Sequence, residues 1–253
     1  MKTEQKIYHT LRIASAMCLI GHGAFGIITK TVWCNYLAVF GIGQDMAYQL
    51  MPIIGSADIL MGLSLLVYPV RAVALWLVIW GLATASMRPL SGEPFAELLE
   101  RAGNFGAPLA LLILCPPEKG FRAWFRKMEA PLVISTEHMK RLTISLQLVA
   151  FMLLVGHGWL NIIEKKALLA QYTSLGFSNA QKVALAAGIF EITAAIIVIA
   201  RPIRPFILLL LIWKMTTELF YPQWELFEWV ERGGSYGTLL ALWFALKRNK
   251  SES

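Results

Sequence analysis

Three stretches of this chain are apolar for the length of a bilayer-crossing helix. One is enclosed by Ile13 and Thr29, one by Leu50 and Tyr68, and one by Ala72 and Ser86, each near the roughly 17 to 25 residues that a spanning helix requires. In hydrocarbon every backbone N–H and C=O must find its partner inside the chain, so runs of this length are restricted to helices. The whole composition agrees: of 253 residues 57% are hydrophobic and 15% charged, with mean hydropathy +0.58, outside the balance of soluble domains. The first run follows a polar stretch, MKTEQKIYHTLR, and no small-residue cleavage site closes it. It therefore reads as a retained helix and not as a secretory signal.

The chain also repeats itself. Gly21-His22-Gly23 returns as Gly156-His157-Gly158, and at the same offset of 135 residues Lys30 meets Lys165 and Gly41 meets Gly176. Gly55, Asp58, Pro69, Arg71, Trp80 and Pro89 match Gly188, Glu191, Pro202, Arg204, Trp213 and Pro222 at an offset of 133. Glu100-Arg101-Ala102-Gly103 matches Glu231-Arg232-Gly233-Gly234 at 131. An ordered series whose offsets shrink only in loops marks a duplication.

Each half holds four hydrophobic segments, an even number, so both halves take one orientation. The expected architecture is an all-α polytopic membrane protein with eight transmembrane helices in two parallel-oriented four-helix bundles. Residues 1–116 form the first unit, 117–139 a cytoplasmic linker and 140–253 the second unit. The fourth segment is the shortest: its apolar part, Ala107 to Cys115, spans only if the helix starts near Pro94 and carries Glu97, Glu100 and Arg101 in its outer turns.

Lys2, Lys6, Arg12, Arg71, Lys119, Arg122, Arg126, Lys127, Lys140, Arg141, Arg201, Arg204, Lys247, Arg248 and Lys250, 15 of the 23 Lys and Arg, fall on one side of such a topology. The positive-inside rule then puts both termini in the cytoplasm, at the inner membrane. Anionic headgroups account for the formal charge of +7 and the pI near 9.4. The expected partner is membrane lipid, and no nucleic-acid motif accompanies the basic residues. FRAWFRKMEAP in the linker suits either a short helix on the inner surface or a plain connection. The outer loops are acidic and aromatic, with Trp33, Trp224, Trp229, Tyr221, Glu225, Glu228 and Glu231, as at an interface belt. Cys18, Cys34 and Cys115 form no CxxC pair and give no sign of a metal site.

Ionisable groups inside spanning segments are costly and mark pairing or function. His22 and His157 lie in the outer half of each first helix, and Asp58 and Glu191 near the middle of each second. Because the first helix runs outward and the second returns, the histidine and acid of one half can approach. The flanking glycines admit either a neighbouring helix or a flat ligand. Lys214 and Glu218 stand one turn apart on the seventh helix where the first half has Gly81 and Ala85. Together with His157 and Glu191 they are read as the catalytic or proton-relaying set, the first half being kept mainly for structure; a self-neutralising buried pair is the plainer alternative. Structural anchoring, with the arginines reaching headgroups, accounts for Glu100, Arg101, Glu231 and Arg232. Arg88 pairs either with these acids or with an anionic ligand head.

His-Gly late in the first helix, a following lysine, and Asp58-Ile59-Leu60-Met61-Gly62-Leu63 or Glu191-Ile192-Thr193-Ala194-Ala195 in the second helix resemble the DoxX-like family. Both halves look like one such unit, although Lys30 and Lys165 stand farther from His-Gly than the resemblance would place them. The family is functionally mixed, so it implies fold more than activity. It implies a membrane subunit of a quinone-linked redox system, with a redox partner subunit. His22, His157, Asp58, Arg88, Lys30 and Lys165 are the groups that would hold the cofactor, a quinone or, less readily, a b-type haem on the two histidines. The alternatives are a proton-coupled or small-ion transporter and a non-catalytic scaffold docking a partner.

Overall fold

A computed structural model describes residues 1–116, 119–221 and 226–249, the side chains of 248 and 249 excepted. Pro222, Trp224, Glu225 and Lys250 lie outside the described residues. The first half consists of α1 (Thr3–Ile27), α2 (Trp33–Ala38), α3 (Gln44–Val67), α4 (Arg71–Leu90), α5 (Ala96–Glu100) and α6 (Ala102–Leu114). The second repeats the order as α7 (Thr136–Ile162), α8 (Lys166–Ser174), α9 (Ala180–Ala200), α10 (Arg204–Leu219), α11 (Leu226–Glu231) and α12 (Gly233–Asn249). Among the described residues there is no strand, only one bridge between Val70 and Lys127. The duplication extends to the backbone. Thr29 and Glu164 end the first helices at φ 51° and 56°, and Gly41 and Gly176 end the short helices at 74° and 87°, left-handed values that glycine adopts without a Cβ clash.

Five helices, α1, α3, α4, α7 and α9, are long and apolar enough to cross a membrane. At about 1.5 Å per residue, roughly 20 residues match the hydrocarbon thickness, and α6 (13 residues), α10 (16) and α12 (17) fall short of that. The expected fourth helix from Pro94 is broken at Arg101, whose φ of −92° and ψ of 13° leave the helical basin. α5 and α6 are its two pieces. The outward faces are oily: α3 exposes Ile53, Leu60 and Val67, α9 exposes Ile189 and Ile196, and α10 exposes Leu209 and Ile212. Polar groups are instead gathered inside, an inversion that water would not tolerate over such large patches and lipid does.

Among the described residues of the central segment, Phe121–Phe125 form one 3-10 turn. The segment is pinned to the helices, because Tyr8 donates to Met128 O at 2.8 Å and Arg71 donates to Cys115 O at 3.1 Å and Ala123 O at 3.3 Å. α7 starts at Thr136, within the stretch 117–139 read as linker.

α1 packs on α3, and α7 on α9, within each half. The fourth segments reach across: α11 and α12 lie on α1, and α5 and α6 lie on α7, with α6 against α12 at the centre. One core results, with Leu11, Leu111, Leu146 and Leu239 fully buried in it. Glycines set the closest approaches. A Cβ at Gly103 would overlap the backbone of Gly234 and Ser235, one at Gly21 the backbone of Glu231, and one at Gly156 the backbone of Glu100. The glycine before each histidine thus admits α11 or α5 of the opposite half.

Candidate functional site

Close packing of α1 on α3 carries His22 onto Asp58, Nδ1 to Oδ2 at 2.7 Å, and Trp80 Nε1 donates to the same oxygen at 3.3 Å. α7 and α9 repeat the arrangement. His157 Nδ1 lies 2.5 Å from Glu191 Oε2, and Trp213 Nε1 donates to Glu191 Oε1 at 2.9 Å. Asn161 lies 3.4 Å from His157 Nδ1 and accepts from the Tyr172 hydroxyl at 2.6 Å. A carboxylate on one ring nitrogen fixes the ring's orientation and leaves Nε2 for other work.

The surroundings of the two histidines differ. Beside His22 lies a cavity with about 60 Å3 of water-accessible space, walled by Phe25, Trp33, Tyr36 and Trp80 and ringed by Lys30, Arg88, Arg101 and Glu231. The His22 and Trp33 rings lie 4.5 Å apart. This opening is in the half to which the sequence assigns mainly structure. The repeat counterparts of Gly81 and Ala85 are Lys214 and Glu218 of the second half. There, Lys214 Nζ is 2.7 Å from Glu218 Oε1 and 4.0 Å from Glu191 Oε1, all three side chains being buried.

A run of ion pairs joins the two places. From the cavity it passes Arg88 to Glu97 (3.5 Å), Glu97 to Arg101 (2.6 Å), Arg101 to Glu100 (3.0 Å) and Glu100 to Arg232 (2.9 Å). It continues from Arg232 to Glu218 (2.8 Å), then through Lys214 to Glu191 and His157. Two further bridges cross between halves in matched positions, Lys30 to Glu228 at 2.9 Å and Lys165 to Glu97 at 2.6 Å. Arg101 and Arg232, expected to reach for headgroups, are buried and paired inward. The reason is that α5 and α11 fold against α7 and α1 and carry their arginines with them. Nothing in the spacing of ERxG shows this, although its repetition is a signal that both copies matter.

Outside the spanning helices the charges titrate accordingly. Burial would lower Lys165, and Glu100, Tyr221 and Glu97 reverse the sign and raise it. Burial pushes the Tyr36 hydroxyl above the usual phenol range while it donates to Glu93 Oε1 at 2.6 Å.

Of the residues singled out from sequence, His157, Glu191, Lys214 and Glu218 come together in one closed cluster. His22, Lys30 and Arg88 line the open cavity, with Asp58 directly behind His22. Lys165 lies across from them on Glu97, and Arg88 pairs with Glu93 at 3.1 Å as well as Glu97. Ligand atoms of Glu100, His157 and Glu218 lie within 4.8 Å of one another. These carboxylates already carry Arg232 and Lys214 as counter-ions, so a metal's charge would have little left to neutralise there.

Fold and site together define a helical membrane protein with a buried charge network and one cavity open beside a histidine–aspartate pair. The chain matches no protein-family model, no curated protein and no solved structure.

Proposed function

We propose that this is an inner-membrane protein of the DoxX-like kind, crossing the bilayer eight times with both termini cytoplasmic. In this reading α5 with α6, and α11 with α12, act as two-piece spans, and the chain serves a redox system by holding a quinone in the His22 cavity. The observation that carries the reading is the pairing of His22 with Trp33 at the cavity wall, ring centroids 4.5 Å apart and planes tilted by 32°, with Asp58 bracing the imidazole from behind. A flat headgroup packs against an aromatic wall, and a few fixed polar groups orient it. The backbone crossing of Gly103 and Gly234 at the centre of the molecule leaves little room there for a haem macrocycle, which favours quinone over haem.

The test is solvent extraction of the detergent-purified protein followed by chromatographic identification of any quinone, with a visible spectrum taken first. Quinone at near-stoichiometric amounts, reduced at least fivefold in Trp33→Ala and His22→Ala, supports the assignment. Protein free of quinone and unable to take up an added short-chain quinone removes it.

A second reading, proton or small-ion transport, draws on the unbroken run of ion pairs from Arg88 to His157, because linked buried charges are what a relay needs. Proton movement in liposomes that is lost in Glu191→Gln, from a quinone-free protein, would favour it.

A further inference from the structure

Glu231 is the one acid at the cavity whose pseudo-symmetric partner is missing. Its repeat counterpart, Glu100, is held by Arg232 of the opposite half at 2.9 Å. By the same symmetry Glu231 should be held by Arg101, but Arg101 turns to Glu97 and Glu100 at 2.6 and 3.0 Å. The Glu231 side chain makes no hydrogen bond or ion pair to any described residue, is only 8% exposed, and faces the cavity beside His22. A buried carboxylate left without a donor is costly, and a ligand that supplies one relieves the cost.

The other polar groups at this wall narrow what the ligand must be. Lys30, Arg88 and Arg101 each spend an N–H on an acid other than Glu231: Lys30 on Glu228, Arg88 on Glu93 and Glu97, and Arg101 on Glu97 and Glu100. Glu231 therefore adds to the wall an acceptor that has no donor of its own. An oxidised quinone also presents only acceptors, its two carbonyl oxygens, whereas the reduced quinol presents two hydroxyl donors.

Resting on the quinone reading above, we propose that Glu231 makes the cavity selective for the quinol: its carboxylate accepts a hydrogen bond from one quinol hydroxyl and repels the quinone carbonyl. The residue comes from the second half, so the first half's site is incomplete without α11.

The experiment is anaerobic calorimetric titration of the full chain in lipid nanodiscs with decylubiquinol and, separately, decylubiquinone. Wild type is expected to bind the quinol about tenfold more tightly, the share of one charge-assisted hydrogen bond. In Glu231→Gln, whose amide donates as readily as it accepts, the two forms should bind within about threefold. Glu231→Asp keeps the carboxylate and should retain the order of preference. Wild type binding both forms equally, or Glu231→Gln keeping the preference, overturns the role of Glu231 and leaves the quinone assignment intact. Neither form binding removes the quinone assignment itself, and binding of benzylammonium instead, lost in Glu231→Gln, would reassign the cavity to an organic cation. Should Glu231→Gln fail to fold, the wild-type ratio decides: a preference under threefold ends the proposal.

Discussion

Glu100 belongs to the first repeat and Arg232 to the second, yet their side chains meet at 2.9 Å with both residues buried. Each is also held by its own neighbours, Glu100 by Arg101 and Arg232 by Glu218 and Glu228. The pair therefore fastens the halves to each other and closes the charge run between the cavity and His157.

Removing one member of a buried pair strands the other. Arg232→Ala leaves Glu100, Glu218 and Glu228 short of a counter-ion, and about 3–5 kcal/mol of stability should be lost. Arg232→Lys keeps the charge but cannot reach three carboxylates at once, and should recover only part of it. Thermal unfolding in a mild detergent measures both; an Arg232→Ala protein within about 1 kcal/mol of wild type would contradict the role.

The matched bridges should be unequal. Lys165 is less exposed than Lys30, at 21% against 31% of the side chain, and solvent screening takes more from the exposed one. Lys165→Ala is expected to cost more than Lys30→Ala, by a margin of about 1 kcal/mol or less, read from the same unfolding curves. The reverse order would show that burial does not set their contributions.

Alkali should act through Lys165, which lies in the loop after α7. Its raised value means that its contribution to stability is present below pH about 10.5 and fades as pH rises beyond. Lys165→Ala should be less stable than wild type at pH 8 and should lose less between pH 9 and pH 11. Parallel alkaline limbs for the two proteins would rule this out.

Glycine positions give a steric test. Gly156→Ala drives a methyl into the backbone of Glu100, which no side-chain rotation relieves, and should cost about 1–3 kcal/mol. Gly43→Ala meets nothing within 4 Å and should stay within about 0.5 kcal/mol. Equal melting temperatures for the two variants would mean that α5 does not sit so close to α7.

How much of this could be read from the chain alone differs by residue. The His22–Asp58 and His157–Glu191 pairs were legible, because antiparallel helices of bilayer length bring late and middle positions to one depth and the duplication states the pairing twice. The exchange of α5 and α11 between halves was not. A repeat reveals which residues correspond, but a helix in one copy packs equally well, by pattern, on either copy of its partner. Arg101 and Arg232 looked like headgroup anchors for the same reason: their place near a helix start is the same whether that helix faces lipid or the opposite half. The cavity beside His22 depends on how Phe25, Trp33, Tyr36 and Trp80 pack, and the isolation of Glu231 on which way Arg101 turns. Both are outcomes of packing that no spacing encodes.

Because α11 closes over α1 while α5 closes over α7, neither repeat owns its histidine's surroundings outright. A gene cut down to one copy would yield a chain lacking a wall at its own centre, and could restore it only by borrowing that wall from a twin. Joining the copies on a single chain makes the loan permanent and frees the two centres to diverge, one sealed by Lys214 and Glu218, the other left open beside His22.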